Sequence, residues 1–69
     1  MEEIKLKEEY IKLGQALKAA NLVSSGVEAK IVIQDGTVKV NGETETRRGR
    51  KLYDGDSVFF RGQTIKIVK

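Results

Sequence analysis

The chain has no cysteine, no histidine, no proline and no tryptophan among its 69 residues. Without cysteine, no disulfide or thiolate-bound metal can staple the fold. Without histidine, the commonest neutral metal ligand and the usual general base near pH 7 are missing. Chemistry at neutral pH would fall to carboxylates and lysines, and stability must come from packing. A chain of this length buries only about 60% of the surface it exposes when unfolded, so its core has to be compact. No apolar run approaches the ~20 residues of a membrane-spanning helix, and the Met1-Glu2-Glu3 start is unlike a basic-then-apolar secretion signal. A single cytoplasmic domain over residues 1–69 is expected, monomeric, with no cofactor, no metal and no membrane partner.

Charge is present but unevenly held. The formal net charge is +3. Residues 1–35 carry five lysines against six acids, a balance of −1, while residues 36–69 carry eight basic residues against four acids, a balance of +4. A basic half suits a nucleic acid or another anionic surface. Its focus is Arg47-Arg48-Gly49-Arg50-Lys51, where four of five residues are basic. Just upstream stands Asn41-Gly42, two residues that tolerate the positive φ of a type I′ hairpin turn.

Residues 3–7 alternate polar and apolar, as a short half-buried strand would. From Lys12 the period changes. Leu13, Ala16, Leu17 and Ala20 share one helical face, and Asn21 suits the left-handed residue that ends such a helix. Ser25 followed by Glu28 forms a capping box for a second helix over residues 26–34 with Gly36 as its stop; Ala29, Val32 and Ile33 would face the core. The β-branched run Ile31-Val32-Ile33 suits a strand on its own, and the flanking signals decide for helix. The remainder reads as β: Thr37–Val40 into the Asn-Gly turn, Thr44–Thr46 out of it, then Leu52-Tyr53, an Asp54-Gly55-Asp56 turn, Ser57–Phe60 and Thr64–Val68. The predicted architecture is α+β, two helices packed on a small, mostly antiparallel sheet.

In this order the chain resembles the S4 RNA-binding domain, in particular its small stand-alone bacterial members. Lys12, Leu13 and Leu17 match the opening of the family pattern, Ser25, Ala29 and Lys30 its second helix, Gly36-Thr37-Val38-Lys39-Val40-Asn41-Gly42 its central segment, and Gly55-Asp56 its closing turn. The resemblance runs from about Lys12 to Ile67. It implies the αL fold of that family, binding to structured RNA such as ribosomal or transfer RNA, a role in ribosome assembly or translation, and no catalysis. Gly14 stands where many members have Asp, and Gly26 where many have an Arg that meets RNA. The resemblance therefore moves the expected contact from the second helix toward the basic loop.

The expected RNA-binding set is Lys12, Ser25, Lys30, Lys39, Arg47, Arg48, Arg50 and Lys51. For the loop, the plain alternative is a solvated, solubilising tract. Three arginines within four residues favour function, because guanidinium groups fork onto phosphates and stack on bases. Lys12 and Lys30 are assigned to phosphates near helix N-termini, with a plain polar helix face as the alternative. Ser25 is first a cap. Lys39 faces solvent if Val38 and Val40 point inward. Glu43 and Glu45 are expected to pair loosely with the arginines. Phe59 and Phe60 must point to opposite faces, and the outer one is expected to cover helix or loop rather than stack on a base. Asp54 and Asp56 read as turn residues, and no residues converge as nucleophile, base or metal set. The competing readings are a protein–protein adaptor with an acidic or ribosome-associated partner, and binding to duplex DNA.

Overall fold

The computed structural model describes residues 2–69. In chain order these residues form β1 (Glu2–Lys5), β2 (Ile11–Lys12), α1 (Leu13–Ala19), α2 (Gly26–Gln34), β3 (Val38–Val40), β4 (Glu43–Thr44), β5 (Lys51–Leu52), β6 (Ser57–Phe60) and β7 (Gln63–Val68). Five strands make one sheet in the order β1-β7-β6-β3-β4, and β2 and β5 make a separate two-stranded ribbon. Every pairing is antiparallel except that of β1 with β7.

The helices form where the apolar period demands them. Leu13, Ala16 and Leu17 on α1 and Ala29, Val32 and Ile33 on α2 are all buried. They meet Val38, Val40, Val58, Phe60, Ile65 and Ile67 from the inner face of the sheet in one cluster. Burying each large side chain of that set contributes about 2–3 kcal/mol relative to exposure. α1 ends as Asn21 allows. Its φ is 62°, the Leu22 N–H donates to the Leu17 carbonyl at 3.0 Å and the Asn21 N–H to that of Lys18 at 2.9 Å, which is a Schellman stop. At the hairpin turn Asn41 and Gly42 have φ of 52° and 85°, as a type I′ turn requires.

Three details differ from the sequence reading. The strand after the Asn-Gly turn is only Glu43–Thr44; Glu45 still donates its N–H to Val38, but its carboxylate captures the next two amides and turns the chain away from the ladder. The first strand spans residues 2–5 rather than 3–7, because its ladder partner β7 ends at Val68; Leu6 takes a last bond from its N–H to the Val68 carbonyl and then sinks into the core. Phe60 is buried, while Phe59 is 44% exposed. Phe59 lies beside Lys39 and Thr64 on the sheet face that the helices leave uncovered, so it covers no helix.

Candidate nucleic-acid interface

The basic tract sits in the loop between β4 and β5, and one acid shapes it. Glu45 is 6% exposed. Its carboxylate accepts five hydrogen bonds: from the amides of Thr46 at 3.1 Å and Arg47 at 3.0 Å, from Arg47 Nε at 2.9 Å and Nη2 at 3.1 Å, and from Arg50 Nη1 at 2.9 Å. The Arg47 guanidinium, then that of Arg50, hold the Glu45 carboxyl down at about 2, against an ordinary value of 4.5. The expected loose pairing is therefore a buried clamp. A carboxylate this enclosed must be fully partnered, and the two arginines meet that demand. Asp54 and Asp56 are turn residues: Asp56 accepts from the Tyr53 amide and from Asn41 Nδ2, and Asp54 from the Lys69 amide.

The clamp divides the tract. Arg47 presents its fork to Glu45 while its side chain stays 74% exposed, and Arg50 is held at 32% exposure. Arg48 and Lys51 are exposed and belong to neither ion pair. Glu45 cancels one of the four positive charges. The loop then docks on α1 through its backbone. The Leu13 N–H donates to the Arg50 carbonyl at 2.8 Å and the Gly14 N–H to the Arg48 carbonyl at 3.1 Å, so the basic loop supplies acceptors to amides that open a helix and would otherwise lack partners.

Gly14 explains the closeness of that docking. A Cβ at residue 14 would lie 2.8 Å from Arg48 Cγ and 3.7 Å from the Arg48 carbonyl oxygen. The bare glycine lets the stem of Arg48 lie across α1. At Gly26 a Cβ would meet nothing within 4 Å, so the first turn of α2 is open where many family members carry Arg.

The remaining expected residues are spread over several elements. Lys12 ends β2 directly opposite Lys51 on β5. Ser25 caps α2, its Oγ accepting from the Glu28 N–H at 3.1 Å. The Glu28 carboxylate reaches back to Ser24, at 2.8 Å from the amide and 2.9 Å from the hydroxyl, one residue earlier than a capping box on Ser25 predicts. These bonds from Ser24 keep the Glu28 carboxyl below its ordinary value. Lys30 is the fifth residue of α2, past the first turn where the helix N-terminus favours anions, so its expected dipole assistance is lost. Lys39 is exposed between buried Val38 and Val40, on the open face of the sheet.

Sequence reasoning missed the buried role of Glu45 and the ribbon formed by β2 and β5. Nothing in the local pattern separates Glu45 from an ordinary surface acid beside arginines. The ribbon did leave a trace: Tyr10-Ile11-Lys12 and Lys51-Leu52-Tyr53 are mirror-image triplets, as two antiparallel edges with one buried centre would be.

Comparison with known proteins agrees with this fold. The S4 domain family profile matches residues 4–68. The chain is 48% identical over 59 residues to "Probable ribosome maturation protein RlbA" of Bacillus subtilis strain 168, covering 86% of this chain and 83% of that one. It is 39% identical over 62 residues to "Putative RNA-binding protein YbcJ" of Escherichia coli strain K12, covering 90% of this chain and 89% of that one. The solution structure of the Escherichia coli YbcJ protein, described as revealing an αL motif involved in RNA binding, superimposes with a TM-score of 0.76 at 37% identity over 100% of this chain and 89% of that one. In sequence and in fold alike, the chain belongs to the S4 domain family.

Proposed function

We propose that the protein binds structured RNA, ribosomal RNA foremost, through a basic surface centred on the loop from Arg47 to Lys51. The observation that carries this reading is the docking of the loop on α1 through the Arg48 and Arg50 carbonyls, with Arg48 and Lys51 left exposed. A basic loop fixed by the fold is organised in advance, so less conformational entropy is lost when it meets phosphates. Lys12 joins it across the ribbon, Lys30 and Ser25 extend it along α2, and Lys39 serves as an outlying contact. Arg47 offers the edge of its guanidinium that Glu45 leaves free, and Arg50 acts mainly by holding the loop.

Family membership supports RNA over DNA, and the name of the Bacillus subtilis relative supports a place in ribosome maturation. The domain over residues 1–69 would act without catalysis, as a monomer in the cytoplasm. In keeping with that, the loop carboxylates of Glu45, Asp54 and Asp56 are engaged in structural hydrogen bonds. Among the described residues, no helix is long and apolar enough to cross a membrane.

The test is charge reversal where it leaves the Glu45 clamp intact. Arg48→Glu with Lys51→Glu should weaken binding to a structured ribosomal RNA fragment at least about tenfold, near 1.4 kcal/mol, with an unchanged circular dichroism spectrum. If about four to six phosphates are engaged, the log–log dependence of affinity on salt should have a slope on the order of −3 to −5. Unchanged affinity in the double variant would reject the loop as the contact. The adaptor reading draws on Val27 and Ile31, 69% and 54% exposed on α2; capture of a protein partner that survives nuclease treatment would favour it.

A further inference from the structure

The ribbon of β2 and β5 has a solvent face with an unusual composition. Ile11 pairs with Leu52 and Lys12 with Lys51. Side chains alternate along each edge, so Ile11 and Leu52 point inward while Tyr10 and Lys12, with Lys51 and Tyr53, leave on the other side. The Tyr10 and Tyr53 rings stand 5.9 Å apart at an interplanar angle of 51°. Lys51 Nζ lies 4.8 Å from the centre of the Tyr10 ring. The tyrosines are 36% and 43% exposed.

The aromatic pair and the cation over the Tyr10 ring stabilise the ribbon, but they do not account for Lys12. Like charges directly opposite on paired strands are destabilising, yet Lys12 faces Lys51. Among the described residues, the ion pairs are those of Glu45 with Arg47 and Arg50, and neither lysine enters one. Two cations without a carboxylate, flanked by two partly exposed aromatic rings, match the two halves of a nucleotide. The ammonium groups suit a phosphate, and the tilted rings offer a face to a base. The face continues directly into the basic loop, since Arg50, next to Lys51, accepts from the amide of Leu13, next to Lys12. On its other side Tyr10 borders an open groove along which Lys5, Lys7 and Lys18 are placed, with Glu8 the acid among them.

We propose that the Tyr10, Lys12, Lys51 and Tyr53 face is a stacking site for one unpaired nucleotide of the bound RNA. The inference rests on the RNA-binding reading above and adds to it the kind of RNA preferred: a helix interrupted by a bulged or flipped-out nucleotide. Arg48 and its neighbours hold the backbone of the paired region, while the ribbon takes the extruded base.

The chain has two tyrosines and no tryptophan, so tyrosine emission reports on this face alone. Two probes suffice: a blunt RNA duplex and the same duplex carrying a single bulged adenosine. The wild-type protein should bind the bulged duplex about tenfold more tightly, within the range that base stacking on an aromatic ring supplies. Its tyrosine emission, corrected for RNA absorbance, should be quenched by the bulged duplex more than by the blunt one. Tyr10→Ala with Tyr53→Ala should bind both duplexes alike at the wild-type blunt-duplex affinity, and Tyr10→Phe with Tyr53→Phe should keep the preference. Equal binding of the two duplexes by the wild type, or a preference that survives the alanine substitutions, overturns the stacking site while leaving RNA binding intact. Binding of neither duplex, nor of the ribosomal RNA fragment, overturns RNA binding itself.

Discussion

The two helices open in different ways. α2 is capped by its own neighbours: Ser25 takes the Glu28 amide, and Glu28 returns to Ser24. α1 has no capping hydroxyl, only a long bond from the Lys12 N–H to Gln15 Oε1 at 3.4 Å, and it receives backbone carbonyls from Arg48 and Arg50, more than thirty residues along the chain. The first arrangement holds a helix and nothing else. The second joins the helix to the basic loop, so that whatever orders one orders the other. In α1, the stability of the fold and the shape of the proposed binding surface are a single property.

That contrast can be broken at its tightest point. Gly14→Val should destabilise the fold by about 2–3 kcal/mol in chemical denaturation, since even the Cβ would press on Arg48 Cγ at 2.8 Å. Combining it with Arg48→Gly should recover a good part of the loss, a coupling of about 1–2 kcal/mol in a double-mutant cycle; strict additivity would show that the close approach carries no strain.

Next comes the clamp. Glu45→Gln should cost about 1–2 kcal/mol, a range kept low because Arg47 is largely in water. It should also speed amide exchange at Leu13 and Gly14, whose acceptors lie in the loop. The same group gives a pH signature. Its carboxyl is depressed to about 2 in the fold, so the contribution is complete above the ordinary value near 4.5. It is lost as pH falls from about 4.5 toward 2. Acid titration of thermal stability should show that loss in the wild type and a flatter profile in Glu45→Gln.

The smallest effect belongs to α2. Ser25→Ala should cost about 1 kcal/mol and raise exchange in the first turn of that helix, leaving Leu13 and Gly14 protected. Loss of protection at both helices would mean that the two starts are not independent.

The same division marks what could be read from the sequence. Ser25 with Glu28, Asn21 at positive φ, Asn41-Gly42 and the buried period of α1 are rules acting over a few residues, and all are visible in the chain. The capping box was displaced by one residue because Ser24 offers the carboxylate both an amide and a hydroxyl. What the sequence did not reveal are contacts between distant segments: the carbonyls that cap α1, the stem of Arg48 across Gly14, and the pairing of Tyr10 with Tyr53. Of the basic loop, the charge was legible and the division of labour was not. Composition counts four cations alike, and only the burial of Glu45 separates Arg47 and Arg50 from Arg48 and Lys51.

The parallel pairing of β1 with β7 has a practical consequence. Glu2 stands opposite Ile65, whereas Lys5 stands opposite Val68 and Leu6 bonds to the Val68 carbonyl. Val68 thus ends beside Leu6, which lines the groove that Tyr10 also borders, and the Lys69 amide turns to Asp54, next to Tyr53. A purification tag or fluorophore joined there would sit close to the proposed stacking face and obstruct it. Glu2, opposite Ile65, stands at the other end of β1. Labelled protein for the RNA measurements should carry its label at that end.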